Sequence, residues 1–206
     1  MTGATIRPIR APAMTTANKI TILRILLVPY FVVQLLYYLR DGYEWERLLA
    51  LLAFAIAAIT DGIDGYIARR YNQRSELGTV LDPLADKFLL LAALIVLSMD
   101  NAPYLERIPM WLTATVLSRD AILVIGLGII YYTLGKIQVI PRLLGKVATV
   151  FQMITVLWVL LRWDSHWLVY CALAAALFTG LSGILYIRDG IRRLSESPAS
   201  SAPPPE

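Results

Sequence analysis

Four aspartates stand at fixed intervals in "DGIDGYIARRYNQRSELGTVLDPLADK", residues 61–87. Asp61, Asp64, Gly65 and Ala68 fall at i, i+3, i+4 and i+7, which on a helix of about 3.6 residues per turn is a single stripe. Gly78, Asp82 and Asp86 follow at i, i+4 and i+8 and form a second. Between the carboxylates sit residues with almost no side-chain bulk, so a ligand can come close to the helix backbone. Ser75 precedes the second stripe at a position suited to capping a helix N-terminus. Like charges a few ångströms apart in a low dielectric do not all stay ionised unless something positive lies among them. Arg69, Arg70 and Arg74 fall in or beside the connection, above the stripes. An all-oxygen carboxylate set suits a hard divalent cation, and Mg²⁺ is commonly shared between carboxylates and substrate phosphates. Arg69 adds a planar fork that matches phosphate. Metal, space and arginine together describe a site for a diphosphate.

Two other readings of the acids deserve weighing. In one, each aspartate pairs with a neighbouring Arg or Lys as an interfacial ion pair, a reading that weakens as it is applied to all four positions at these spacings. In the other, the chain is a carrier whose carboxylates bind a transported ion. Against the carrier, the acids gather at one edge of the apolar segments rather than midway, and no inverted repeat or broken-helix pattern is visible.

The elements that must hold the stripes are apolar. Hydrophobic residues make up 58% of the 206 and charged residues only 17%, with a mean hydropathy of +0.62, well outside soluble usage. A bilayer core about 30 Å thick needs roughly 20 apolar residues per helical crossing. Six runs approach that length, at 19–39, 46–68, 78–99, 108–132, 143–162 and 167–187. The expected fold is therefore all-α and integral to the membrane, with six transmembrane helices around a cytoplasm-facing polar cavity. The first run follows Arg7, Arg10 and Lys19 without an evident cleavage site and reads as a retained span, not a signal peptide.

Basic residues set the expected orientation, because positively charged flanks resist translocation. Twelve of the nineteen Lys and Arg fall at the N-terminus, the second and fourth connections and the tail, against four in the other three connections. Both termini and the aspartate stripes should face the cytoplasm. A net charge of +4 fits this asymmetry and attraction to anionic lipid headgroups. Nucleic-acid binding has no basic-aromatic motif behind it.

Residues 1–18, with Pro8 and Pro12, read as an interfacial segment that is not one continuous helix. The transmembrane domain is expected over 19–190, and 191–206, ending in "SESPASSAPPPE", as a disordered tail. A lone Cys171 excludes an internal disulfide framework and a lone His166 excludes chemistry that needs paired histidines. "TGLSG" at 179–183 offers small residues for close helix packing.

The arrangement Asp61-x2-Asp64-Gly65-x2-Ala68-Arg69-x8-Gly78-x3-Asp82-x3-Asp86 resembles, position for position, the signature of the CDP-alcohol phosphatidyltransferase family. Eight fixed positions over 26 residues make the signature specific, and the six-run organisation of the whole chain resembles the family too. The resemblance implies that Asp61, Asp64 and Asp82 are ligands of Mg²⁺ or Mn²⁺, one or two ions. It implies that Asp86 is both a ligand and the base toward the acceptor hydroxyl. Gly65, Ala68, Arg69, Ser75 and Gly78 match positions beside the CDP part of the CDP-diacylglycerol donor, and a homodimer is implied as well. Chemistry agrees: transfer from a diphosphate to an alcohol needs charge neutralisation and an in-line hydroxyl, not a covalent nucleophile.

Within the family, "NKITILRILLVP" at 18–29 and "LDPLADK" at 81–87 resemble phosphatidylglycerophosphate synthases and CMP-forming cardiolipin synthases. "NQRSELGTVLDPLADK" and "SRDAILVIG" at 118–126 lean to the cardiolipin type, while "LLGKVATVFQ" at 143–152 suits either. The expected reaction is that of a phosphatidylglycerophosphate synthase, with phosphatidylglycerol as the alternative acceptor. Either acceptor is an anionic phosphate, so a basic pocket is expected, with Arg119 and Lys146 as its candidates. Arg119 has the alternative of pairing with Asp120, and Lys146 of serving only the orientation signal. Arg24 is a third candidate that is equally able to snorkel.

Overall fold

The computed structural model describes residues 16–71, 76–134 and 143–195, with side chains at 22–60, 87–126, 128, 129, 132 and 143–192. Among these, six helices and no strand occur: α1 Thr16–Asp41, α2 Glu44–Tyr71, α3 Glu76–Ser98, α4 Met110–Leu134, α5 Leu143–Leu160 and α6 Ser165–Ser195. Each coincides with one expected apolar run to within a few residues, except at the end of α6. Ser75, the expected cap of α3, lies outside the described residues, as do 1–15 and most of the tail. Helix α6 continues to Ser195, so the expected tail boundary at 191 falls inside a helix. Its last turns, "RDGIRRLS", are polar but contain no proline, and the helix outlasts the apolar run because backbone propensity does not require lipid.

Successive helices alternate in direction. Thr113 donates to the Leu94 carbonyl at 3.3 Å. Seven residues further along α4, Asp120 meets Lys87, seven residues earlier on α3, which only antiparallel helices allow. Likewise Phe31 packs on Phe54 while Tyr38 reaches Glu44. With six alternating helices, the start of α1, the α2–α3 connection and the end of α6 share one end of the bundle.

The core is built from stripes at helical spacing: Phe31, Leu35 and Tyr38 on α1, Ala50, Ala53, Phe54 and Ala57 on α2, Ala93, Leu94 and Leu97 on α3, and Leu168, Ala172 and Ala175 on α6. Alanines on α2 and α6 allow close approach, as helices in lipid require. Outward faces stay apolar; Leu26, Ile59, Val124, Leu177 and Ile184 are all exposed, a surface that suits lipid and not water. Among the described residues, Ile22–Asp41, Leu143–Leu160 and Ser165–Arg192 are long and apolar enough to cross a membrane. The protein is integral to the membrane.

The end remote from the α2–α3 connection is held by polar clamps. Arg47 donates to the Leu160 carbonyl at the end of α5 (2.6 Å) and to Glu44 (2.8 Å), which Arg162 also meets at 2.6 Å. The Arg47 hydrogen bond holds the Glu44 carboxyl below its ordinary range, so the clamp is complete above that range and loosens as acid protonates it. His166 is exposed at this end, with edge contacts to Trp167 and Tyr170, far from the acidic stripes.

Gly42 closes α1 here, at φ 76°, with its N–H on the Tyr38 carbonyl at 2.8 Å, a left-handed cap. A Cβ at this position would press into the Tyr104 ring. Gly42→Ala is expected to destabilise the protein by about 1–2 kcal/mol from backbone conformation alone, more once Tyr104 is displaced. Thermal denaturation in detergent checks this, with the donor KM unchanged because the altered cap lies at the other end of the bundle.

Candidate active site

Asp61, Asp64, Gly65, Ala68 and Arg69 lie in the last part of α2, and Gly78, Asp82 and Asp86 in the first part of α3. Only residues 72–75 separate the two helices, so they are antiparallel neighbours. Asp64 lies seven residues before the end of α2 and Asp82 six after the start of α3, each roughly 10 Å along its helix from the connection. Asp61 and Asp86 are each ten residues away, roughly 15 Å. The backbone thus puts the four aspartates into two levels, one from each helix in each level. A donor set of four carboxylates spread over two adjacent levels fits one or two hard divalent cations.

Lys87 carries this level into α4. Its Nζ lies 3.1 Å from Asp120 Oδ1, and the same oxygen accepts from Arg119 Nη1 at 2.6 Å. Arg119 Nη2 donates to Ser182 Oγ on α6 at 3.2 Å, and its guanidinium carbon stands 5.7 Å from the Tyr186 ring centre. Two glycines make room for it. A Cβ at Gly145 of α5 would lie 3.1 Å from Arg119 Nη2, and one at Gly183 would lie 3.3 Å from its Cγ. Arg119 and Asp120 are both 15% exposed and Lys87 43%. The buried Arg119 Nε has no hydrogen-bond partner.

The pairing of Arg119 with Asp120 that the sequence left open therefore forms, together with a bond to Ser182. Lys146, next to Gly145, has an exposed side chain. Arg24 is fully buried, so it does not snorkel. Of the small residues in "TGLSG", Gly183 makes room for Arg119, whereas Gly180 faces open space. Buried Gln152 donates to Thr179 at 2.8 Å, which adds to the polarity of the α5–α6 seam in the same half of the bundle. Sequence reasoning gave Lys87, Ser182, Tyr186, Gly145 and Gly183 no part in the site; it read "TGLSG" for helix packing alone. A signal existed for Lys87, a cation directly after the last aspartate at the edge of an apolar run.

Among the described residues, two cations meet one carboxylate in the Lys87–Asp120–Arg119 cluster, one residue along α3 from Asp86.

Comparison with known proteins gives the same direction. Residues 14–181 match the CDP-alcohol phosphatidyltransferase family. Proteins of Salmonella paratyphi A, Salmonella typhimurium and Escherichia coli K12 are 35% identical to this chain over 173 residues, which cover 82% of this chain and 90% of each relative. All three are named CDP-diacylglycerol–glycerol-3-phosphate 3-phosphatidyltransferase.

Proposed function

The chain belongs to the CDP-alcohol phosphatidyltransferase family, and from that premise we propose that it moves the phosphatidyl group of CDP-diacylglycerol onto glycerol 3-phosphate, releasing CMP and forming phosphatidylglycerophosphate. The observation that carries the reading is the two-level register of Asp61, Asp64, Asp82 and Asp86 across the short α2–α3 connection. The relatives' names favour glycerol 3-phosphate over phosphatidylglycerol as acceptor, and the family match gives the carrier reading no support.

In this reading Asp61, Asp64, Asp82 and Asp86 hold Mg²⁺ or Mn²⁺, whose charge, when bound, neutralises the diphosphate and the departing CMP. Gly65, Ala68 and Gly78 leave space for the cytidine diphosphate part against the helix backbones, and Arg69 and Ser75 bind it. The acceptor hydroxyl gives its proton to an Asp86 carboxylate oxygen as its own oxygen bonds to the phosphatidyl phosphorus. The bond from that phosphorus to the CMP oxygen breaks, and CMP leaves with the electron pair. Arg119 receives the acceptor phosphate, exchanging part of its pairing with Asp120 for it; Lys146 stands nearby as a second cation. Six crossings, with both termini and the site on the cytoplasmic side, are the arrangement that the alternation of helices and the distribution of Lys and Arg support. Working as a homodimer rests on the family resemblance.

The test is purified protein with CDP-diacylglycerol and a panel of alcohols, read by CMP release and product mass. Glycerol 3-phosphate is expected to give phosphatidylglycerophosphate. Turnover with phosphatidylglycerol alone, giving cardiolipin, overturns the acceptor assignment. Ion flux in vesicles with no CMP under any acceptor overturns the reaction.

A further inference from the structure

Asp120 is enclosed among apolar helices and yet serves two cations through one oxygen, Oδ1. Its partners come from different elements and from different parts of the reaction. Lys87 follows Asp86 on α3, and neighbouring Cα atoms across a peptide bond are about 3.8 Å apart, so holding the Lys87 head holds the stretch of helix that carries the base. Arg119 is the cation assigned to the acceptor phosphate, and two further helices fix it: the Ser182 hydroxyl and the Tyr186 ring on α6, and the spaces left by Gly145 and Gly183 on α5 and α6. Those contacts leave Arg119 little freedom, whereas Lys87 is tied to α4 through Asp120. Among the described residues, the side-chain bonds between α3 and α4 are this pair and the Thr113 bond to Leu94 nearer the other end.

We propose that Asp120 is a positioning residue that sets the distance between the base on α3 and the acceptor-binding arginine on α4. It does so by holding Lys87 and Arg119 on one carboxylate oxygen. The inference rests on the function proposed above and adds a part to it. An in-line displacement tolerates little misplacement, since an error near 1 Å can cost about 10²-fold in rate. A purely structural Asp120, present only to neutralise Arg119 in a low dielectric, makes a different demand. It needs Arg119 and has no use for Lys87, whose half-exposed side chain could then be replaced freely.

Lys87 variants separate the two. Lys87→Met is expected to lower kcat on the order of tenfold at unchanged KM for CDP-diacylglycerol and with little change in thermal stability, while Lys87→Arg, which keeps the cation, restores most of kcat. Asp120→Asn is expected to lower kcat similarly and also to raise the KM for glycerol 3-phosphate, because Arg119 loses its anchor. In the double variant the kcat losses should not add, since both changes break one link. Where Asp120→Asn fails to fold, the two Lys87 variants decide alone. A Lys87→Met enzyme with kcat within about twofold of wild type, or kcat losses that add in the double variant, overturns the inference. So does a Lys87→Arg enzyme no better than Lys87→Met. A wild-type protein that releases no CMP with any acceptor sinks the proposed reaction and this inference with it; an active wild type with an indifferent Lys87 sinks the inference alone.

Discussion

Stripping divalent cations with excess chelator is expected to abolish CMP release, and Mg²⁺ or Mn²⁺ to restore it. The expectation rests on charge. Four aspartates fall at two backbone levels near the end of α2 and the start of α3, and in the proposed reaction a CDP-lipid brings two more negative phosphates to them. Bringing six anionic groups together in a setting partly screened from water is prohibitive without counter-charge. In the proposed reading Arg69 adds one positive charge, and Lys87 and Arg119 already share Asp120. Direct displacement at phosphorus needs neutralisation of the non-bridging oxygens more than it needs a nucleophile, so the loss should be close to complete and not a modest fall in kcat. The measurement is CMP release across a titration of chelator and then of metal. Full turnover in excess chelator overturns the metal assignment and returns the aspartates to ion pairs with Arg69, Arg70 and Arg74.

What the sequence reveals here depends on how local the signal is. The helices follow from runs of apolar residues, and their ends depart from expectation by only a few residues except at α6, whose polar last turns carry no hydropathy signal and no proline before Pro198. The two acidic stripes are equally local, because a spacing of three and four residues reads directly as one helix face. Partners distant in the chain are another matter. Arg47 caps the Leu160 carbonyl across 113 residues, and Arg119 meets Ser182 across 63; no periodicity announces either. The tandem Arg119-Asp120 is visible as a pair, but that its carboxylate also takes Lys87 depends on the register of α3 against α4, which sequence alone leaves open. Gly183 and Gly180 look alike in "TGLSG", and only packing shows that one of them faces Arg119 and the other open space.

In the proposed reaction Asp86 is base as well as ligand, and its replacement carries the other large effect. Asp86 and Asp61 share a level, each ten residues from the α2–α3 connection, so a difference between their variants cannot come from depth in the bundle. Asp86→Asn keeps the size of the side chain and an oxygen able to face a cation, and loses the ability to take the acceptor's proton. Donor binding should largely survive while the single-turnover rate falls, by about 10²–10⁴-fold for the loss of a general base. Asp61→Asn removes a ligand charge only. It should weaken metal and CDP-diacylglycerol binding, and raising Mg²⁺ or Mn²⁺ should recover part of its activity by mass action. Donor affinity and single-turnover rate for both variants across a metal titration distinguish the two roles. An Asp86→Asn enzyme that turns over near the wild-type rate, or that added metal rescues as readily as Asp61→Asn, would make Asp86 a ligand alone. The proton would then have to leave through another group at that level. Lys87 is a poor substitute, because its ammonium, paired with Asp120, carries three donors and no lone pair to offer.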